Sequence, residues 1–242
     1  MVDKSDTLLE FPNMGVTIQL LTERAYDSVR RDIVSCALAP GSEISEMELC
    51  SRYALGQSGA RIALTRLAHE GLVRAIPRRG YRVVPLTLQD LHDVFELRLM
   101  LEPAAARMAA GKVNTAALRR CDEVCRAGCE PGDAASVRRL LDANRALHVT
   151  IAQASGNARL AAAIACVHED MTRLLHLAFS VREGRQAAQH DHRALVKVLA
   201  RGDGEAAERI CRDEIEASRE MLLSAILTRR SAMSLTITAD GA

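Results

Sequence analysis

Apolar residues recur at helical spacing along most of the chain, and the first part predicts three helices followed by a hairpin. The first helix is predicted over residues 20–38, and a capping-box pattern that starts at Ser45 opens the second. A third helix extends to Glu70. Two strand-like runs, LVRAI and YRVVPL, then flank the turn PRRG. This order of elements predicts a small unit that ends near Leu86.

After this unit, the periodic segments all predict helix. TLQD, at Thr87–Asp90, is a second capping-box-like start and opens a long helix. The predicted fold class is therefore mainly α: an N-terminal winged helix-turn-helix, with three helices and a two-stranded wing, followed by an all-helical bundle. The predicted domains are 20–86 and 87–230, with flexible tails at 1–19 and 231–242.

Composition and charge narrow the possible functions. The 242-residue chain is 48% hydrophobic with a formal net charge of +1, which fits a globular protein and excludes a strongly basic coat for nucleic acid. Yet six arginines and a single acid, Glu70, lie between Gln57 and Leu86. Aromatic residues, at 2%, are too scarce for stacking on single-stranded bases. The basic segment therefore predicts contact with double-stranded DNA.

The predicted DNA contacts are at the start of the third helix and at the tip of the wing. Gln57, Ser58 and Arg61 occupy the end of the helix that enters the major groove in a winged helix-turn-helix. There, arginine can bind guanine and glutamine can bind adenine. Arg78 and Arg79 in the wing turn are candidates for the minor groove or for phosphates. The alternative is that these arginines only solvate a small domain.

Four polar residues interrupt the apolar faces of three predicted helices in the second half. Asn144 and His148 are four residues apart on one face, His192 shares a face with leucines and valine, and Glu214 lies in an apolar stripe. A buried carboxylate is costly unless it is paired or binds a metal. Two imidazoles, a carboxylate and an amide oxygen suit a divalent metal such as zinc, nickel or manganese. The alternative for each is an ordinary hydrogen-bonded core residue.

The seven cysteines form no CxxC pair, and the polar, acidic start of the chain is unlike an export signal. Both features predict reduced thiols and a cytoplasmic location. Cys121, Cys125 and Cys129 share one helix face. They are either a thiol sensor or, as we favour, small buried apolar residues.

The first half resembles the DNA-binding domain of the GntR superfamily. The resemblance rests on the motifs APG, SEMEL, ARIALTRL, EGLV and RGY, in this order over about 65 residues. It implies that Arg61 contacts DNA. The sequence departs from the family at Gly56–Gly59, where the family usually has Ser-Arg-Thr-Pro, and at Met47, where the family usually has arginine. The usual operator of the family therefore does not carry over.

The second half resembles the helical FCD effector domain of the FadR subfamily. The motifs are DLHDVFELRLMLEPAAARMAA, the N-x3-H-x7-SGN segment and DHRALVKVLARGDGEAAERICRDEIE. The resemblance implies metal ligands at Asn144, His148, His192 and Glu214, of which the first and last replace the commoner Asp and His. It also implies a small effector, often a carboxylate, for which Arg98 and Arg173 are candidate ligands.

Together these features predict a homodimeric, ligand-responsive repressor that a small carboxylate releases from its operator. Two alternatives remain open at this point. A non-haem metal enzyme would use a two-His-one-carboxylate site. An architectural DNA-binding protein would have no effector and little sequence preference.

Overall fold

The structure is a computed structural model that describes residues 14–130, 132–179 and 191–232. The described parts of Met1–Ile33 and Leu38–Val84 form one compact unit, and those of Val34–Ala37 and Pro85–Ala242 form the other. The elements, in chain order, are α1 (Met14–Val34), β1 (Glu43–Ile44), α2 (Glu46–Tyr53), α3 (Gln57–His69), β2 (Val73–Ile76), β3 (Gly80–Val83), α4 (Leu88–Ala109), α5 (Thr115–Ala127), α6 (Ala134–Ala154), α7 (Ala158–Phe179), α8 (Arg193–Arg201) and α9 (Gly204–Ala232).

The N-terminal unit is a helix-turn-helix with a small sheet, as the sequence predicts. The Ser45 side chain accepts a hydrogen bond from the backbone N–H of Glu48 and so starts α2, while Ala54 ends this helix in the left-handed conformation. The core of the unit contains apolar residues from all three helices and from the sheet: Tyr26, Val29, Ile33, Leu38, Ile44, Leu49, Ala60, Ala63, Leu64, Leu67, Leu72, Val73 and Val83. This core leaves the outer face of α3 in solvent.

The predicted two-stranded wing is the β2–β3 hairpin, and a third strand, β1, joins it to give a sheet with the order β1-β3-β2. Ile44 in β1 pairs with Tyr81 in β3 and is buried in the core. A strand of two residues carries no alternating pattern, which is why the sequence does not reveal it. Gly80 is required here, because a Cβ at this position would lie 2.8 Å from the carbonyl oxygen of Ile44.

The C-terminal unit is a helical bundle in which α4 contacts α6, α7, α8 and α9. The predicted capping box begins α4: the Thr87 hydroxyl accepts the backbone N–H of Asp90, and the Asp90 carboxylate accepts the N–H of Thr87. Asn114 and Asp133 cap α5 and α6 in the same way. No helix in the described part of the chain is long and apolar enough to cross a bilayer.

Several predicted boundaries differ from the structure. α1 begins at Met14, inside the tail predicted over 1–19, because no proline interrupts the helix before Val34. α8 begins at Arg193, where Asp191 accepts the backbone N–H. α9 continues to Ala232. Residues 1–13 and 233–242 of the predicted tails, and the segment 180–190, lie outside the described residues.

Candidate metal centre and DNA interface

The four predicted metal ligands line one small cavity in the helical unit. α6 carries Asn144 and His148, His192 is the N-cap residue of α8, and α9 carries Glu214. Asn144, His148 and His192 are buried, and the Glu214 side chain is 22% exposed. The cavity volume of about 10 Å³ is enough for one water molecule or ion. Arg98 of α4 and Ser218 of α9 are further polar residues of its wall.

His192 lies at the centre of this set because each of its ring nitrogens faces an oxygen atom of another member. Nδ1 is 2.9 Å from Oε2 of Glu214, and Nε2 is 3.4 Å from Oδ1 of Asn144. The His192 backbone N–H donates to the buried carboxylate of Asp122 at 2.9 Å. The His148 ring stands at 88° to the His192 ring, with 5.3 Å between the two centroids. Asp122 therefore holds the start of α8 where the imidazole reaches the cavity.

A second polar group, centred on Glu102, lies behind His148. Arg98 donates from Nε to Oε1 of Glu102 at 2.6 Å, and Nε2 of His168 is 3.0 Å from the same oxygen. Oε2 lies 2.7 Å from Nδ1 of His148, but without the alignment that a hydrogen bond requires. The His148 and His168 rings are stacked at 4.4 Å. All four side chains are buried, so the bundle holds a solvent-excluded charge network.

The charge states of this network follow from burial and from Arg98. Burial by itself raises the pKa of Glu102, but Arg98 and the two histidines outweigh it and hold this pKa well below its usual range. Burial lowers the pKa of His148 to about 3 and also lowers the pKa of His168. At neutral pH the network is an Arg98–Glu102 ion pair with two neutral imidazoles. Neutral imidazole is the form that binds metals.

The two predicted effector arginines lie in different parts of the helical unit. Arg98 lines the cavity, whereas Arg173 of α7 is buried elsewhere and is not among the described residues of the cavity wall. Glu102 and His168 belong to the buried site but are not among the residues predicted from the sequence. A signal existed for Glu102, because it follows Arg98 by four residues and therefore shares its helix face.

Cys121 and Cys125 lie on α5, whereas Cys129, predicted on the same helix face, follows the C-cap residue Gly128. Burial raises the pKa of the Cys125 thiol to about 12, and it raises the pKa values of Cys121 and Cys129 as well. A redox sensor needs an exposed thiol with a lowered pKa. These properties favour the packing interpretation over a thiol sensor.

The predicted DNA contacts are exposed on the N-terminal unit. Gln57, Ser58 and Arg61 lie on the outer face of the first turns of α3, and Arg78 and Arg79 lie in the turn between β2 and β3.

Arg61 is paired within the unit. Its Nε and Nη2 atoms each donate to one carboxylate oxygen of Glu46, both at 3.1 Å. The pair fixes the direction of the guanidinium at the entrance to α3, and its other edge faces solvent because the side chain is 68% exposed.

Known protein families match both units. Residues 21–83 match the family described as bacterial regulatory proteins, gntR family, and residues 93–217 match the FCD domain family.

Individual relatives agree with these matches. A probable D-xylose utilization operon transcriptional repressor of Paenarthrobacter nicotinovorans is 30% identical over 202 residues, which cover 81% of this chain and 88% of that protein. The HTH-type transcriptional repressor RspR of Escherichia coli (strain K12) is 33% identical over 96 residues, 40% of this chain and 42% of that repressor. The matched segment therefore spans less than half of the length of curated relatives such as RspR.

Solved structures share the fold. Escherichia coli McbR/YncC superposes with a TM-score of 0.69 at 20% identity over 85% of this chain and 98% of that chain. A putative transcriptional regulator GntR from Rhodococcus sp. RHA1 gives 0.65 at 19% identity over 84% and 98%. The chain therefore belongs to the GntR family of bacterial regulatory proteins and carries an FCD domain, and the proteins of this family are DNA-binding transcription regulators, not enzymes.

Proposed function

We propose that this chain is a homodimeric repressor that binds operator DNA and is released by a small carboxylate bound in its helical unit. The observation that carries this proposal is the cavity where Arg98, Asn144, His148, His192 and Glu214 meet. Buried, convergent polar groups are typical of a ligand site. Because the cavity of about 10 Å³ holds a single ion or water molecule, an effector carboxylate would require the side chains around it to move apart. The proposal that the chain binds DNA rests on its membership of the GntR family.

The donor set of Asn144, His148, His192 and Glu214 suits a divalent transition metal. Glu214 contacts Nδ1 of His192 and Asn144 faces Nε2, so one of these two side chains would have to turn for all four to bind one ion. The donors are two imidazoles, a carboxylate and an amide oxygen. The distance of 3.4 Å between Nε2 of His192 and Oδ1 of Asn144 equals the edge of a tetrahedron with bonds of about 2.1 Å. When bound, the metal would supply a Lewis-acidic positive charge that attracts an anion. Oε2 of Glu102 lies 2.7 Å from Nδ1 of His148, which leaves Nε2 of this imidazole for the metal.

Glu102, His148 and His168 form a rival metal site, and among the described residues their ligand atoms lie within 4.8 Å of one another. His148, His192 and Glu214 do not all approach that closely in the described structure, so an ion would have to draw them together. The charge of Arg98 disfavours a metal at Glu102, His148 and His168. Arg98 already neutralises Glu102, and a metal there would leave two cations sharing one carboxylate out of water.

The charge of the predicted metal set favours a carboxylate effector. Glu214 offsets part of the charge of a divalent ion, and an effector carboxylate would offset the rest. Arg98 adds a guanidinium to the same wall, and arginine matches the geometry of a carboxylate. The effector regulates DNA binding only if it binds the DNA-competent and the released states with different affinities.

The experiment is a titration of full-length protein on a labelled duplex, selected by the protein from a random pool, with two- to six-carbon carboxylates added in turn. We expect at least one carboxylate to weaken DNA binding by about tenfold, a usual size for allosteric coupling. His192→Ala should bind DNA but lose this response. His92→Ala, which removes an exposed histidine of α4, should keep it. A response that survives in His192→Ala would contradict the proposal.

A stripe on α4 is the proposed dimer interface. Leu97, Met100 and Met108 are among the exposed large apolar side chains, and with Ala104 they follow one helix face. A two-fold dimer presents the same surface from each copy and places two DNA-binding units on a near-palindromic operator.

Met100→Glu should convert the dimer to a monomer at micromolar concentration, because it places facing carboxylates in an apolar interface. Light scattering coupled to gel filtration measures the mass. Val124→Glu, at an exposed apolar residue of α5, is the matched control and should leave the mass unchanged. A dimeric Met100→Glu variant would place the interface elsewhere.

A further inference from the structure

Two bulky apolar side chains are exposed next to the predicted DNA contacts. Met47 of α2 is 80% exposed and Ile62 of α3 is 57% exposed. Among the side chains described in the N-terminal unit, Met47 and Ile62 are the large hydrophobic ones that are exposed, while most of the others pack in or against the core. Exposed apolar surface at a binding face indicates apolar contact with the partner.

Both side chains belong to the surface at the start of α3. Ile62 lines an open recess of about 300 Å³ together with Gln57, Ser58 and Arg61. Met47 directly follows Glu46, whose carboxylate holds Arg61 through two hydrogen bonds. The recess, the Glu46–Arg61 pair and Met47 thus form one surface, which we call the reading surface.

Charge contributes less to this surface than its basic surroundings suggest. Its cation, Arg61, is paired with Glu46, and Gln57 and Ser58 are neutral. The arginines of the wing, Arg78 and Arg79, lie outside the recess. Phosphate contacts position a protein on DNA but carry no sequence information. Apolar side chains therefore have a large part in whatever sequence preference the reading surface has.

We propose that Met47 and Ile62 determine specificity by contacting thymine 5-methyl groups in the major groove. The thymine methyl is the apolar group that a base edge offers there, and guanine, cytosine and adenine offer only donors and acceptors. Gln57 beside them has the amide that pairs with adenine N6 and N7. The half-site facing the start of α3 accordingly contains A·T pairs. The inference rests on the proposed sequence-specific DNA binding.

The test combines sequence selection with removal of single methyl groups. Full-length protein selects duplexes from a random pool, and each thymine of the selected half-site is then replaced by deoxyuridine, which lacks only the 5-methyl group. Loss of one buried methyl contact should weaken binding about two- to fivefold at the contacted positions. Ile62→Ala should abolish the effect of deoxyuridine at one position, and Met47→Ala should abolish it at another.

Val124→Ala, which shortens an exposed apolar residue of the helical unit, is the control and should keep every deoxyuridine effect. The proposal is overturned if the selected half-sites lack thymine, or if deoxyuridine weakens binding equally in wild type and in Ile62→Ala and Met47→Ala. In both cases the selected sequences still establish specific DNA binding. If no sequence is enriched, sequence-specific binding fails together with this inference.

Discussion

Replacing Glu102 with alanine is expected to lower the free energy of unfolding by about 3–5 kcal/mol. Glu102 is the carboxylate that neutralises Arg98, and both side chains are about 95% buried, with exposed fractions of 5% and 4%. Its removal leaves a guanidinium out of water without its counter-charge and removes the acceptor near His148 and His168. Urea denaturation of the full-length protein, followed by circular dichroism, measures the change.

Glu205→Ala is the matched control for this prediction. Glu205 also pairs with an arginine across 3.7 Å, but its side chain is 81% exposed. Exposed ion pairs contribute about 0–1 kcal/mol, so this variant should unfold almost as wild type does. If both variants lose the same small amount, Glu102 is not the centre of a buried charge network.

Arg61→Ala is expected to weaken operator binding by about 1–3 kcal/mol, roughly 5- to 150-fold. The Arg61 guanidinium is the cation nearest the start of α3, and Glu46 fixes its direction through two hydrogen bonds. Without it the reading surface loses a guanine or phosphate contact. Fluorescence anisotropy on the selected duplex at fixed salt measures the loss, because the affinity of DNA complexes changes with salt.

Arg139→Ala is the control for the charge change. Arg139 is an exposed, weakly paired arginine of α6, so its removal alters the net charge equally. It should leave DNA affinity nearly unchanged. Arg61→Ala should also keep wild-type stability, since the Glu46–Arg61 pair is exposed. Equal affinity of Arg61→Ala and wild type would show that α3 does not dock as proposed.

Features set by local sequence were predictable. The capping signals at Ser45 and Thr87 start helices where expected, since a capping side chain acts within three residues. Helical periodicity placed Asn144 and His148 on a buried face, and both are buried in one cavity wall.

Features that depend on partners distant in sequence were not predictable. Glu102 turns inward because Arg98 neutralises it and His148 and His168, on other helices, surround it. The pairing of Arg61 with Glu46 depends on how α2 and α3 pack. The i, i+4 spacing from Arg98 indicates a partner for Glu102, but the burial of the pair depends on side chains of other helices.

The measurement that tests the account most directly is the metal content of protein purified without a His-tag or chelator, after incubation with zinc, nickel and manganese. Plasma mass spectrometry of wild type and of the exposed control His92→Ala should find about one metal per chain. His148→Ala and His192→Ala should lose it, while His168→Gln should retain it. Metal-free wild-type protein, or metal lost in His168→Gln and kept in His192→Ala, would contradict the proposed centre.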